Sequence, residues 1–124
     1  MLDIQRADLV AGVAGSGTMG RGIVQVLAQC GARVRVYDAQ PGAAAKAKDA
    51  IGKALAGQVQ KGRMAQGEAE AALGRIEIVD ALAGLKDCHL VVEAILEELE
   101  AKRALFRALE DIVGEQCILA SNTS

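Results

Sequence analysis

The sequence predicts an α/β fold in which a doubly wound parallel sheet is covered by helices on both faces. Two observations lead to this prediction. Short apolar segments of strand length alternate with longer segments in which apolar residues recur at helical spacing. A glycine-rich turn, Gly15–Gly20, separates the first apolar segment from the first helical segment. Such alternation is typical of parallel strands joined by right-handed helical crossovers.

Five segments predict the strands of this sheet. Each is short and mainly apolar, and each lies between glycine-containing or polar stretches. Asp38 directly follows the second predicted strand and Glu93 directly follows the fourth, so both strands place an acidic residue at the carboxyl edge of the sheet. In chain order, the predicted strands cover residues 8–14, 33–37, 76–79, 90–92 and 117–120.

Four segments predict helices, and a glycine follows each of them. Pro41 suits the first turn of the second helix, which is rich in alanine and lysine. The first helix is predicted to be amphipathic, with apolar residues at Met19, Ile23, Val26, Leu27 and Cys30. The predicted helices cover residues 19–30, 43–61, 66–73 and about 99–113, and a short helical turn covers 80–85.

Composition limits the classes of function. A chain of 124 residues is long enough for one domain with a hydrophobic core. Its net charge of −2 and the lack of a basic stripe argue against nucleic acid or an anionic membrane as a partner. No apolar run is long enough to span a bilayer and no secretory signal is visible, so we expect a cytoplasmic protein. We expect three reduced core cysteines: Cys30, Cys88 and Cys117.

The glycine turn has the pattern of a dinucleotide-binding motif. Gly15 permits the abrupt change from strand to helix, and Gly17, which has no Cβ, lets the backbone approach a pyrophosphate. Gly20 lets the first helix pack against the sheet. The pyrophosphate would then meet the positive end of the helix dipole. The neighbouring strands and helix make this Rossmann-fold interpretation much stronger than the three glycines alone.

Asp38 predicts which dinucleotide is bound. It ends the second strand at about the spacing, roughly 20 residues, of an acid that binds a ribose 2′-hydroxyl. The same carboxylate would repel a 2′-phosphate, so NAD is favoured over NADP. A P-loop is excluded, because it needs Lys followed by Ser or Thr where this chain has Arg21 and Gly22.

Three segments together resemble the L-3-hydroxyacyl-CoA dehydrogenase family, including its 3-hydroxybutyryl-CoA dehydrogenase branch. The first runs from Gly15 to Ile23, the second from Leu90 through Glu97 to Phe106, and the third from Ala120 to Ser124. The resemblance covers nearly the whole chain, from about Asp8 onward. It implies an NAD-dependent oxidoreductase that converts an (S)-3-hydroxyacyl-CoA to the 3-oxoacyl-CoA.

The resemblance also implies roles for individual residues. The cofactor-binding residues would be Gly15, Gly17, Thr18, Met19, Gly20 and Asp38, with Glu97, Lys102 and the weaker candidate Asn122 near the nicotinamide half. Lys61 matches a position near the coenzyme A moiety, and Ser124 matches a serine that orients the substrate. From the residues alone, Glu97 could be a solvated acid at a helix start, Lys102 a surface partner of Glu98, and Lys61 an exposed lysine.

Part of the family's machinery is missing from this sequence. The His–Glu pair that serves as catalytic base in the family lies beyond Ser124, and the single histidine, His89, matches no catalytic position. The helical domain that completes the substrate pocket and the dimer interface is missing too. We therefore expect residues 1–124 to be the NAD-binding domain of a longer, homodimeric enzyme. This domain alone should bind NADH without turning over substrate.

Two alternatives stay open. One is another NAD-dependent β-hydroxyacid dehydrogenase that acts on free acids. The other is a non-catalytic NAD-binding module. Acyl-chain length and the pathway, whether fatty-acid oxidation, butyrate metabolism or aromatic-acid breakdown, are not predicted.

Overall fold

The computed structural model describes residues 9–94, 99–113 and 117–121. Strands and helices alternate as predicted, and their ends agree with the predicted ends to within two residues. In chain order they are strand β1 (Val10–Ala14), helix α1 (Thr18–Gln29), strand β2 (Arg33–Tyr37), helix α2 (Ala43–Gln60), helix α3 (Gln66–Gly74), strand β3 (Ile76–Ile78), a 3-10 helix (Leu82–Leu85), strand β4 (Leu90–Glu93), helix α4 (Leu99–Ile112) and strand β5 (Ile118–Ser121).

The five strands form one parallel sheet in the order β3-β2-β1-β4-β5. Strand β1 lies at the centre, and its last residue, Ala14, pairs with Tyr37 on one side and with Glu93 on the other. The chain therefore winds outward from β1 first in one direction and then in the other. In such sheets ligands bind at the carboxyl ends of the strands, where the order reverses. The predicted doubly wound fold is confirmed.

Two hydrophobic clusters cover the two faces of the sheet. Successive residues of a strand point to opposite faces, so Val13 packs with α1, α2 and α3 while Ala14 packs with the 3-10 helix and α4. On the second face Leu85 and Leu109 are completely buried. Among the described residues, no helix is both long and apolar enough to cross a membrane.

The buried face of α1 differs from the one its apolar spacing suggests. Gly20, Val24 and Ala28 are buried, whereas Met19 and Val26 are 59% and 60% exposed. Ile23 and Leu27 of the predicted stripe are half-buried and pack against the same core, so the prediction is correct in part. Met19 and Val26, at the edge of the buried face, lie toward solvent.

The expectation of three core cysteines is correct in part. All three are free thiols, but Cys30 follows the last turn of α1 and is exposed. Cys88 is buried and Cys117 is half-buried. Burial raises the pKa of Cys88 to about 11 and also raises the pKa of Cys117, so both remain neutral thiols at physiological pH.

Candidate functional site

The glycine turn lies at the carboxyl end of β1 and leads directly into α1. Gly15 has φ of 106°, a left-handed conformation that side chains rarely adopt. Its N–H donates to the carbonyl oxygen of Tyr37 at 2.8 Å, which joins the turn to the end of β2. This conformation turns the chain sharply, so that Thr18 already begins the helix.

Gly20, in the first turn of α1, packs against the backbone of Gly15. A Cβ at this position would overlap the carbonyl oxygen of Gly15 and lie 2.8 Å from its carbonyl carbon. The first turn of α1 therefore packs directly against the backbone of the glycine turn. The predicted close approach is present, and its nearest contact is with Gly15.

Gly17 stands in a different environment. Its φ of −67° is open to any residue, and a Cβ there would meet no protein atom within 4 Å. Gly17, Thr18 and Met19 are all exposed. Nothing in the described protein requires a glycine at this position, and the open space above it fits a ligand that comes close to the backbone.

The amino end of α1 is suited to bind an anion. No side chain caps this end, and the first turn contains no acidic residue. The first N–H groups of an α-helix have no partners within the helix, and they lie at the positive end of its dipole. A diphosphate would satisfy these donors, so the residues present fit the pyrophosphate of a dinucleotide.

Asp38 lies next to the glycine turn, held by three hydrogen bonds. Its Oδ2 accepts from the Ser16 N–H at 2.8 Å and from the Ser16 hydroxyl at 2.6 Å. Its Oδ1 accepts from the Gln40 N–H at 2.9 Å. Burial raises the pKa of Asp38, but the hydrogen bonds from Ser16 and Gln40 outweigh it and keep that pKa below its ordinary value. The carboxylate is therefore ionised and fixed in orientation.

A cavity of about 240 Å³ is lined by both residues that donate to this carboxylate, Ser16 and Gln40. Ser16 and Arg21 line it from the glycine turn and α1, and Gln40, Pro41 and Lys46 line it from the loop after β2 and the start of α2. The roles of Ser16, Arg21 and Lys46 were not predicted from the sequence. Two signals in the sequence could have indicated them: Ser16 is a polar residue inside the glycine turn, and Arg21 and Lys46 are cations about one turn into α1 and α2.

The other candidates are spread over the chain. Lys61 follows the last residue of α2 and is exposed. Since α2 has 18 residues and extends about 27 Å, Lys61 is remote from the cavity at the helix start. Lys102 lies in α4, while Glu97, Asn122 and Ser124 fall outside the described residues. His89 is structural: its Nδ1 accepts from the Val10 N–H at 3.0 Å.

Comparison with known proteins gives consistent matches. The family model described as "3-hydroxyacyl-CoA dehydrogenase, NAD binding domain" matches residues 10–124. A probable 3-hydroxybutyryl-CoA dehydrogenase of Bacillus subtilis is 40% identical over 112 residues, which are 90% of this chain and 39% of that protein. The 3-hydroxyadipyl-CoA dehydrogenase of Escherichia coli K12 is 37% identical over 124 residues, which are 100% of this chain and 25% of that protein.

Solved structures agree with these sequence matches. The crystal structure of (S)-3-hydroxybutyryl-CoA dehydrogenase from Ralstonia eutropha superposes with a TM-score of 0.89 at 33% identity. That match covers 93% of this chain and 41% of the Ralstonia protein. This chain thus spans between a quarter and about two-fifths of the length of these relatives.

Proposed function

This chain belongs to the family of NAD-binding domains of 3-hydroxyacyl-CoA dehydrogenases, and from that premise we propose that it serves an oxidoreductase acting on (S)-3-hydroxyacyl-CoA. The product would be the 3-oxoacyl-CoA, with hydride transferred to NAD. The chain's own task is to bind and orient the cofactor, and the names of the similar enzymes support a coenzyme A thioester as substrate.

The position of Asp38 is the observation on which this proposal depends most. The carboxylate is ionised, is held by Ser16 and Gln40, and lies beside the amino end of α1. Two neighbouring groups of a dinucleotide thereby have binding partners: the helix end suits the pyrophosphate, and the carboxylate suits a ribose hydroxyl. A 2′-phosphate would bring two negative charges together, which favours NAD over NADP.

The remaining cofactor residues are proposed from the family. Glu97, Lys102 and Asn122 would contact the nicotinamide half, and Ser124 would orient the substrate hydroxyl. They follow β4 and β5 in sequence or lie in α4, and the carboxyl ends of such strands are where doubly wound sheets bind ligands. Lys61 would contact the coenzyme A moiety through its charge.

When bound, NAD supplies the hydride acceptor for the reaction. The proton of the substrate hydroxyl needs a base whose pKa lies near neutrality. His89, the single histidine of the chain, already accepts a backbone hydrogen bond and is not a candidate. We therefore propose that the base comes from residues that follow this domain in a longer, homodimeric cytoplasmic enzyme.

A titration of the purified chain with NADH, and separately with NADPH, tests this proposal. The fluorescence of the nucleotide can be followed directly, because the chain contains no tryptophan. We expect saturable NADH binding, much weaker NADPH binding and no turnover of acetoacetyl-CoA. Preference for NADPH would overturn the role of Asp38, and turnover by the chain alone would overturn the assignment of the base to later residues.

A further inference from the structure

We propose that Ser16 is a second ribose-binding residue, whose hydroxyl oxygen accepts a hydrogen bond from one ribose hydroxyl while Asp38 accepts from the other. The inference rests on the proposed function, because it takes the adenosine ribose of NAD as the ligand. Ser16 lies inside the glycine turn, and its side chain is not needed for binding the pyrophosphate.

The lone pairs of Asp38 limit how many ribose hydroxyls it can bind. A carboxylate has about four acceptor sites, two on each oxygen. Ser16 fills two of them on Oδ2, through its N–H and its hydroxyl. The Gln40 N–H fills one on Oδ1. One site remains, on Oδ1, and it suits a single ribose hydroxyl, whereas the adenosine ribose of NAD presents two adjacent ones.

The Ser16 hydroxyl oxygen can accept a hydrogen bond from the second ribose hydroxyl. A hydroxyl has one donor proton and two acceptor lone pairs, and the proton is already directed to Asp38 at 2.6 Å. Its lone pairs remain available for a donor. Ser16 is only 9% exposed, yet it lines the cavity together with Gln40, the other residue that donates to Asp38, so a ligand in that cavity can reach it. A bond to a charged acceptor polarises the hydroxyl and makes its oxygen a better acceptor in turn.

The same arrangement bears on cofactor choice. Because Ser16 holds Oδ2 with two hydrogen bonds, the carboxylate cannot easily turn away from the ribose. Its negative charge then stays where the 2′-phosphate of NADP would lie. Arg21 and Lys46 line the same cavity and would attract that phosphate if the carboxylate were less firmly held. Ser16 therefore contributes to NAD selectivity through Asp38 as well as through the ribose.

Displacement of NADH from the wild-type chain by three nucleotides tests the proposal. The nucleotides are ADP, 2′-deoxy-ADP and 3′-deoxy-ADP. A hydrogen bond to the neutral Ser16 hydroxyl contributes about 1 kcal/mol, or about fivefold in affinity, whereas one to the ionised Asp38 carboxylate contributes about 2 kcal/mol, or about thirtyfold. We expect one deoxy compound to bind about fivefold and the other about thirtyfold more weakly than ADP, since each lacks one of the two donating hydroxyls. If only one of the two hydroxyls affects affinity, Asp38 alone binds the ribose and the proposal is wrong.

The Ser16→Ala variant then identifies the hydroxyl. ADP should bind it about fivefold more weakly than it binds wild type, and one deoxy compound should show no further loss. A residue that only positioned Asp38 would weaken the response to both hydroxyls together. If each deoxy compound loses the same affinity relative to ADP in the variant as in wild type, the proposal is wrong. Melting of each protein without nucleotide shows whether the variant is folded.

These measurements separate the two proposals. Failure of the wild-type chain to bind NADH would overturn the proposed function, and the assignment of Ser16 with it. NADH binding with no difference between wild type and Ser16→Ala toward any of the nucleotides would overturn the assignment of Ser16 alone. A smaller ratio of NADH to NADPH affinity in the variant is also expected, because the carboxylate is less firmly held.

Discussion

Substitution of Gly20 by alanine tests the packing on which the candidate site is built. The added Cβ would overlap the carbonyl oxygen of Gly15 and lie 2.8 Å from its carbonyl carbon, where ordinary contacts are 3.4–4 Å. Both opposing atoms belong to the backbone, so no side chain can rotate away. Gly15 is also bonded to Tyr37, so movement of the turn would strain a hydrogen bond of 2.8 Å.

The expected effect is the difference between two terms. Alanine in place of glycine inside a helix stabilises by about 1 kcal/mol. Overpacking costs about 3 kcal/mol here, the upper part of the usual range, because backbone must move. Gly20→Ala should therefore lower the free energy of unfolding by about 2 kcal/mol. Gly22 lies in the same helix, where a Cβ would meet nothing within 4 Å, so Gly22→Ala should raise it by about 1 kcal/mol.

Urea unfolding and thermal melting of the two variants measure this contrast. At about 4 °C per kcal/mol for a domain of this size, Gly20→Ala should melt about 8 °C below wild type and Gly22→Ala about 4 °C above it. The variants change the same residue type in one helix, so helix propensity is matched. A Gly20→Ala melting temperature at or above that of wild type would refute the close packing of α1 against Gly15.

Three further predictions follow from the same structure. Gly17→Ala should leave the melting temperature within about 2 °C of wild type, because the added Cβ would meet no protein atom within 4 Å. It should weaken NADH binding at least tenfold, because the Cβ would occupy the space proposed for the pyrophosphate, and equal binding would contradict a pyrophosphate there. Asp38 has a lowered pKa, so it adds stability above about pH 4 that is lost as pH falls through its folded pKa. The stability advantage of wild type over Ser16→Ala should accordingly shrink as the pH falls below about 4, the ordinary pKa of an aspartate, and an advantage independent of pH would contradict it. Leu85→Ala should cost about 3 kcal/mol in urea unfolding, because Leu85 is fully buried between the sheet and α4, and a loss below about 1 kcal/mol would contradict that packing.

The candidate site shows how far sequence reasoning extends. The positions of Gly15, Gly20 and Asp38 could be predicted because they depend on local features, namely a sharp turn, a close approach and a strand end. Ser16 could not be assigned in this way. Its hydroxyl reaches Asp38 across 22 positions of sequence, and that contact exists only because β1 and β2 pair side by side.

The same distinction explains the face of α1. Helical spacing alone indicates that α1 has an apolar stripe, but two neighbouring stripes satisfy it nearly equally well. Gly20, Val24 and Ala28 are buried, and at Gly20 a Cβ would overlap the carbonyl oxygen of Gly15, so no larger side chain fits there. Met19 and Val26 are consequently exposed. Packing distance decided between the stripes, and it is not encoded in the residues of the helix alone.

The sequence by itself determined the order of strands and helices, the glycine turn and the acid that follows β2. These features depend on backbone propensities and on apolar spacing over short stretches, which act before the chain is folded. Only the tertiary structure decided which residues meet at the carboxyl edge of the sheet, where Ser16, Asp38 and Gln40 form one hydrogen-bonded group beside a cavity. Such contacts join segments distant in sequence, so they depend on strand pairing and register, which arise from the whole core.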